Sequence, residues 1–278
     1  MNITEIIKDA FLFPSKNTGK FAMYLLLSVL MIGFVIGGIV TYSFGFINEE
    51  DYLIGGIYLL IAMMIGFILY GYRLRVIKSG IELDDNVPSF ELYENFMTGF
   101  DNFVVTLFYY IIPALIVLVV GYGTHLRDNA INVVWEFVSQ IINCIIGNST
   151  GFTLNTLSHA ATNFLNSLFI TITAALILFI IFSILKFAAE ARLANTGSLK
   201  EALNIFGALK DIIRIGIVRV LILVLLVIVI IAVIGIIFIT LFAYYPFLLT
   251  IIYSILTPYL ILVTQRAIGL TYSDIAKI

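Results

Sequence analysis

Six long apolar runs constrain this chain more than any other feature of its sequence. Each run is close to the 20 or so residues that cross the roughly 30 Å hydrocarbon core of a bilayer as a helix. The runs cover residues 21–47, 53–72, 103–122, 164–185, 220–245 and 247–263. The sequence therefore predicts an all-α fold, a polytopic transmembrane helical bundle with about six spanning helices.

The composition supports a membrane environment. Hydrophobic residues make up 62% of the 278 residues and charged residues only 12%, whereas soluble domains have about 45–50% and about 25%. A soluble globule of this length could not bury so much apolar surface. No Asp, Glu, Lys, Arg or His lies in the middle of any run, so each run can insert as a helix.

The positions of lysine and arginine predict the orientation. If the N-terminus is cytosolic, 14 of the 15 basic residues lie on the cytosolic side and only Arg127 lies outside. Cytosolic loops carry an excess of lysine and arginine. We therefore expect a multi-pass protein of the cell membrane, with both termini in the cytosol. The N-terminal segment lacks the basic-then-apolar order of a cleaved signal, so we expect the first spanning helix to be retained.

Three similar segments indicate an internal repeat. Residues 2–13, 89–100 and 198–209 each carry an apolar stripe at helical spacing, and each precedes two apolar runs. The chain thus reads as one membrane domain, 1–278, built of three hairpin units at 1–80, 88–197 and 198–278. Towards the end of each unit, an arginine is followed three or five positions later by a glycine. The predicted structural signature of the repeat is Arg75, Gly80, Arg192, Gly197, Arg266 and Gly269.

The three amphipathic segments have the features of short helices at the cytosolic membrane surface. Asn2 with Glu5, and Ser198 with Glu201, have the spacing of a capping box. A helix with one apolar face can lie flat in the headgroup region. It can also pack against the spanning bundle, and the sequence is compatible with both arrangements.

An outer segment at 124–163 is predicted to be an insertion in the second unit. Its part at 131–146 has an apolar face and contains Trp135, a residue type favoured at the membrane surface. We expect an interfacial or re-entrant helix there, and the alternative is a cap over a central cavity. Asn148 begins a glycosylation sequon on the outer side, and whether it is modified is left open.

The same outer segment contains the residues with the most reactive side chains. Both histidines, His125 and His159, lie there together with Glu136 and Cys144, the single cysteine. Their spacing matches no known metal-ligand pattern. The sequence therefore predicts no catalytic residue, no metal ligand, no cofactor and no intrachain disulfide.

Four stretches carry a resemblance to a known family. They read GYRLRVIKSG at 71–80, PSFELYENFMTGFDNF at 88–103, FAAEARLANTGSLKEALNIF at 187–206 and PYLILVTQRAIGLTYSDI at 258–275. They resemble the archaeal and bacterial membrane family called domain of unknown function 4013, over nearly the whole chain except 124–163. That family is more distantly similar to membrane domains found beside glycerophosphodiester phosphodiesterases, whose catalytic motif is missing here. The resemblance implies six helices and adds no activity.

These observations favour a non-enzymatic integral membrane protein with a scaffold, envelope or lipid-associated role. The alternative is a transporter or permease-like carrier of a small or lipid molecule, with a site between the three hairpins. A polar cavity that reaches the middle of the membrane would favour the carrier. The expected partners are membrane lipids and no nucleic acid, and a homo-oligomer or a further membrane partner stays open.

Overall fold

The chain is built from helices joined by short connections. A computed structural model describes residues 1–146, 154–242 and 244–276, and it contains no strand within those ranges. The helices are α1 (Ile3–Leu12), α2 (Thr18–Phe44), α3 (Glu50–Ile81), α4 (Leu92–Gly123), α5 (Leu126–Ile145), α6 (Leu154–Thr196), α7 (Leu199–Ala202), α8 (Ile205–Ile215), α9 (Ile217–Phe242) and α10 (Pro246–Ala276). Six of them, namely α2, α3, α4, α6, α9 and α10, are long and apolar enough to cross a membrane. The predicted fold class is confirmed.

The chain divides into two compact units. Unit 1 comprises residues 1–106 and 184–278, and unit 2 comprises residues 107–183. Helices α4 and α6 begin in one unit and end in the other. The three-unit repeat predicted from the sequence divides the chain differently, and it stays a prediction.

Helices α2 and α3 form an antiparallel hairpin in unit 1. Their backbones come close at Gly55, where an added Cβ would lie 2.6 Å from the backbone nitrogen of Tyr42, and at Gly38, where it would lie 3.1 Å from the carbonyl oxygen of Gly55. Small residues allow such contact between spanning helices. Gly33, by contrast, has open space around it.

The buried core of unit 1 lies towards one end of its spanning helices. Its main cluster comprises Phe13, Tyr24, Leu69, Tyr72, Val76, Val87 and Leu262. In the most apolar windows of the six spanning helices, only 11–28% of the residues are buried. Because lysines and arginines gather near the core, we call this part of unit 1 its basic end.

The first amphipathic segment packs against the bundle. Helix α1 is capped as predicted: Asn2 Oδ1 accepts a hydrogen bond from the Glu5 backbone at 2.8 Å, and Glu5 accepts one from the Asn2 backbone at 3.0 Å. Its face with Ile6 and Ala10 is fully buried, and the helix contacts α10.

The second amphipathic segment does not form a helix of its own. It is the first part of α4, which continues to Gly123 without a break. Its buried side carries Asn95, Gly99 and Asn102, while Tyr93 and Met97 of the predicted apolar stripe are exposed. A glycine fits on this side because an added Cβ at Gly99 would lie 1.7 Å from the carbonyl oxygen of Phe67 in α3.

The third amphipathic segment is divided into two helices. Ser198 caps α7 through a 3.4 Å hydrogen bond from the Glu201 backbone. Asn204 then caps α8, since its side chain accepts a hydrogen bond from the Gly207 backbone at 3.0 Å. An asparagine at this position favours a new helix start over a continuous helix.

Unit 2 contains the predicted outer helix. Helix α5 begins near the end of α4, and Asn129 donates to the Ser167 hydroxyl of α6 at 3.3 Å. The Thr124 and Thr171 hydroxyls are also hydrogen-bonded, at 3.2 Å. The apolar face with Ile131, Val134 and Trp135 is exposed. A 20-residue helix is therefore present where the sequence predicts one, and its interfacial or re-entrant placement stays a prediction.

Candidate functional site

The most deeply buried charge of the basic end is Arg266 of α10. Its side chain is 1% exposed, and its Nε donates to Asp9 Oδ1 of α1 at 2.8 Å. One Nη donates to the Asp84 carbonyl at 2.7 Å and to Ser79 Oγ at 3.3 Å. The guanidinium also lies over the Phe13 ring, 4.3 Å from its centroid. A guanidinium can be buried because its charge and its donors are matched in this way.

Arg75 of α3 pairs with two carboxylates of the next amphipathic segment. Its Nη2 donates to Glu91 at 2.8 Å and also to Glu94 at the start of α4. Ser89 donates to the second oxygen of Glu91 at 2.9 Å. Arg75 thus joins the end of α3 to the start of α4.

The pairing has a consequence for Glu91 in acid. The hydrogen bonds from Arg75 and Ser89 lower the pKa of Glu91 from 4.5 to about 2. Because the pKa of Glu91 is lower in the folded protein than in the unfolded chain, its pairing stabilises the fold above pH 4.5. This contribution is lost as the pH falls through about 2. We expect the Glu91 carboxylate band, isolated by infrared difference against Glu91→Gln, to persist until about pH 2. In Arg75→Gln the band should vanish near pH 4.5, and equal titration of both proteins would contradict the pairing.

Arg192 near the end of α6 is placed in the same manner. Its Nη1 donates to Asp211 of α8 at 2.9 Å, and its Nη2 donates to Glu201 of α7. The Tyr272 hydroxyl of α10 donates to the same Asp211 oxygen at 2.7 Å. Asp211 is 5% exposed, so two donors compensate one buried carboxylate.

The three arginines form a cyclic pattern in terms of the predicted repeat. Arg75 ends the first unit and pairs with Glu91 in the opening segment of the second. Arg192 ends the second unit and pairs with Glu201 in the opening segment of the third. Arg266 ends the third and pairs with Asp9 in the opening helix of the first. Each arginine therefore joins two predicted units, and the last contact closes the chain's end onto its beginning.

The glycines of the predicted signature have different structural roles. Gly80 and Gly269 face each other where α3 meets α10: an added Cβ at Gly269 would lie 2.8 Å from the Gly80 Cα and 2.1 Å from the Ile77 carbonyl oxygen. Gly197 instead terminates α6 with a φ of +64°, a left-handed conformation that favours glycine. A short pattern of arginine and glycine does not distinguish close packing from helix termination.

A polar cleft of about 770 Å³ opens between α3, α4 and the end of α6. Basic residues that line it are Lys20, Arg75 and Lys78, and acidic residues are Glu82, Asp84, Glu91, Glu94 and Asp101. In α4 the lining ends at Asp101, just before the apolar run that starts at residue 103. The cleft thus lies at the basic end, outside the most apolar part of α4.

A second cavity, of about 290 Å³, lies along the spanning helices, and we call it the Arg73 groove. It is lined by Arg73, Ile231, Gly235, Tyr253, Leu256, Thr257, Leu260, Ile261, Thr264 and Gln265. Arg73 Nε donates to the Tyr24 hydroxyl at 2.9 Å, and its guanidinium lies 4.6 Å from the Tyr70 ring centroid. The groove therefore combines a cation with a mainly apolar wall.

The histidines and the cysteine of the outer segment are not brought into a metal site. No group of three or more His, Cys, Asp or Glu residues that could hold a metal ion is found in the described ranges. His125 is exposed and lies 3.5 Å from Asp128, while Cys144 is half-buried in α5. Asn148 lies outside the described residues, so its sequon stays a prediction.

Several residues of these sites were not predicted from the sequence. Asp9, Asp211 and Tyr272 complete the arginine pairs, and Arg73 and Gln265 line the groove. The sequence offered one signal: Asp9 lies within the first amphipathic segment and Asp211 lies just after the third. An acid that is buried when such a segment packs against the bundle requires a cation as its partner. Arg73 lies directly after an apolar run, where it reads as an ordinary stop.

Comparison with known proteins places the chain in a family. No curated protein and no solved structure matches it. The model of the family described as "Protein of unknown function (DUF4013)" matches residues 54–243. The matched range includes the outer segment and both the Arg75 and Arg192 pairs. The chain therefore belongs to the DUF4013 family.

Proposed function

We propose that this protein is a non-enzymatic, lipid-associated scaffold of the cell membrane. Its basic end forms a rigid platform at the cytosolic surface, and its spanning helices present apolar surface to lipid. Membrane lipids are its main partners and nucleic acid is not one. A homo-oligomer or a further membrane partner is compatible with this role.

The pairing of the charges at the basic end carries the proposal. The three signature arginines bind carboxylates of four helices, α1, α4, α7 and α8, and of the connection before α4. Lys186 binds the buried Glu190 at 2.6 Å. Catalysis usually needs an acid, base or nucleophile that is free to react with a substrate in a cleft. In the polar cleft, Glu91 and Glu94 are instead bound to Arg75. Paired charges of this kind support a structural role.

Lipid retention tests the proposal directly. We expect the full-length protein, purified in a mild detergent and washed extensively, to retain phospholipid that solvent extraction and mass spectrometry detect at one or more molecules per chain. An unrelated six-helix membrane protein, purified in parallel, controls for detergent-resistant background. Retention no higher than in that control would contradict a lipid-associated role.

A carrier is the second candidate, and one observation favours it. The buried side of α4 below the cleft carries Asn102 and Thr106, each with a side-chain oxygen that has no hydrogen-bond partner in the described part of the chain. Buried polar atoms are normally satisfied by protein or water, so a polar path could continue there. A scaffold is favoured because the lining of the cleft ends at Asp101.

Cysteine labelling tests the proposed orientation. Lys78, whose side chain is 58% exposed, should be cytosolic. In a Cys144→Ser background, we expect Lys78→Cys to react with a membrane-impermeant maleimide only after the cells are opened. A His125→Cys variant in the same background should react in intact cells, because His125 precedes α5 in the outer segment and its side chain is 75% exposed. Labelling of Lys78→Cys in intact cells would contradict the cytosolic location of Lys78 and thus the proposed orientation.

A further inference from the structure

We propose that the Arg73 groove binds the phosphate headgroup and one acyl chain of an anionic phospholipid. This inference rests on the proposed lipid-associated function and names the lipid class and the site. The juxtaposition that carries it is a guanidinium without a carboxylate partner at one end of an apolar groove.

Arg73 differs from the signature arginines in its partners. No carboxylate lies within 4.0 Å of it in the described ranges, and neither Nη group makes a hydrogen bond to a described residue. Glu190 contributes to the electrostatic potential at Arg73 but forms its own salt bridge with Lys186. A half-buried guanidinium with free donors is completed by an anion, and its planar fork matches a phosphate.

The level of Arg73 in the membrane matches that of a phosphate. Arg73 is the first residue after the apolar run of α3, and Gln265 lies two residues after the last run ends at residue 263. Both therefore lie where the hydrocarbon core meets the headgroups. Gln265 lines the groove at this level together with Arg73.

The length and lining of the groove match an acyl chain. From Gln265 to Tyr253 the wall of α10 is 12 residues long, about 18 Å at 1.5 Å per residue. Ile231, Leu256 and Leu260 line the part between these ends. At the far end, the Tyr253 hydroxyl donates to the Gly235 carbonyl at 3.0 Å and is thereby satisfied. A soluble anion would leave this apolar part unoccupied, whereas a phospholipid uses both parts.

The test measures lipid affinity by native mass spectrometry on the full-length protein in detergent. Phosphatidylglycerol and phosphatidylcholine with identical acyl chains are titrated separately. We expect the wild-type protein to bind one phosphatidylglycerol in preference to phosphatidylcholine. Arg73→Gln should weaken phosphatidylglycerol binding by about ten- to a hundredfold, because a charge-assisted hydrogen bond is lost.

Two further variants make the result specific to the groove. Lys78→Gln removes the same charge from the same helix but lies outside the groove, so it should bind phosphatidylglycerol like the wild type. Thr257→Phe fills the groove from an exposed position without changing any charge, and it should weaken binding of both lipids. Because this variant leaves Arg73 itself in place, it tests the site even if Arg73→Gln does not fold.

Equal affinities of Thr257→Phe and the wild type would overturn the inference, as would an equal loss in Arg73→Gln and Lys78→Gln. If the wild type retains phospholipid in either of these cases, the proposed function stands without this site. If the wild type binds no phospholipid at all, the proposed function fails as well.

Discussion

Replacing Arg266 with methionine is expected to lower the free energy of unfolding by about 3 kcal/mol, because removal of one partner leaves buried polar groups uncompensated. Methionine fills similar space but cannot donate to the Asp84 carbonyl or to Ser79 Oγ. Asp9 keeps a second cation, Lys16, at 3.5 Å, and this limits the loss. For a domain of this size the melting temperature in detergent should fall by about 6–12 °C.

The matched control for Arg266 is Lys78→Met, which also replaces a cation with methionine. Lys78 is 58% exposed and its partner Glu82 lies 3.9 Å away, so the pair contributes at most about 1 kcal/mol. Its melting temperature should change by no more than about 2–4 °C. Arg266→Lys keeps the charge but loses the fork of donors, and we expect an intermediate value. Equal melting temperatures for Arg266→Met and Lys78→Met would contradict the role of Arg266.

The six spanning helices could be predicted because apolar content along a run is a local property. Among the described residues, each of the six runs lies within one long helix except at two run ends. Residues 45–47 form turns, and 244–245 lie just before α10. The close packing of the first part of α4 against α3 could not be predicted in this way. It depends on Gly99 facing the Phe67 carbonyl oxygen of α3, and a glycine in the sequence does not reveal which backbone it contacts.

The candidate site was only partly predictable for the same reason. The pattern of arginines at the unit ends singled out Arg75, Arg192 and Arg266, all of which form ion pairs. Their partners are set by tertiary structure: Asp9 is separated from Arg266 by 257 positions. Arg73 and Arg75 look alike in the sequence, yet only Arg75 faces carboxylates. A charge acquires its role from the helix face it occupies and from what lies opposite that face.

Replacing Gly269 with alanine should destabilise the protein by about 3 kcal/mol, at the upper end of the usual cost of overpacking. The new methyl group would lie 2.1 Å from the Ile77 carbonyl oxygen and 2.8 Å from the Gly80 Cα. Both are backbone atoms, so no side-chain rotation relieves the contact and α3 and α10 have to separate. Arg266 lies one turn away on α10 and binds Ser79 of α3, so this separation should also weaken that hydrogen bond.

Gly56→Ala in α3 is the control, and we expect it to stabilise the protein slightly where Gly269→Ala destabilises it. Gly56 has no atom within 4 Å of an added Cβ, and alanine is favoured over glycine in a helix by about 0.5–1 kcal/mol. Its melting temperature should equal or exceed that of the wild type, while that of Gly269→Ala falls. If Gly269→Ala melts at the wild-type temperature, the two helices do not meet at glycine. If both variants lose stability equally, the loss is a general effect of replacing glycine with alanine and not of the close contact at Gly269.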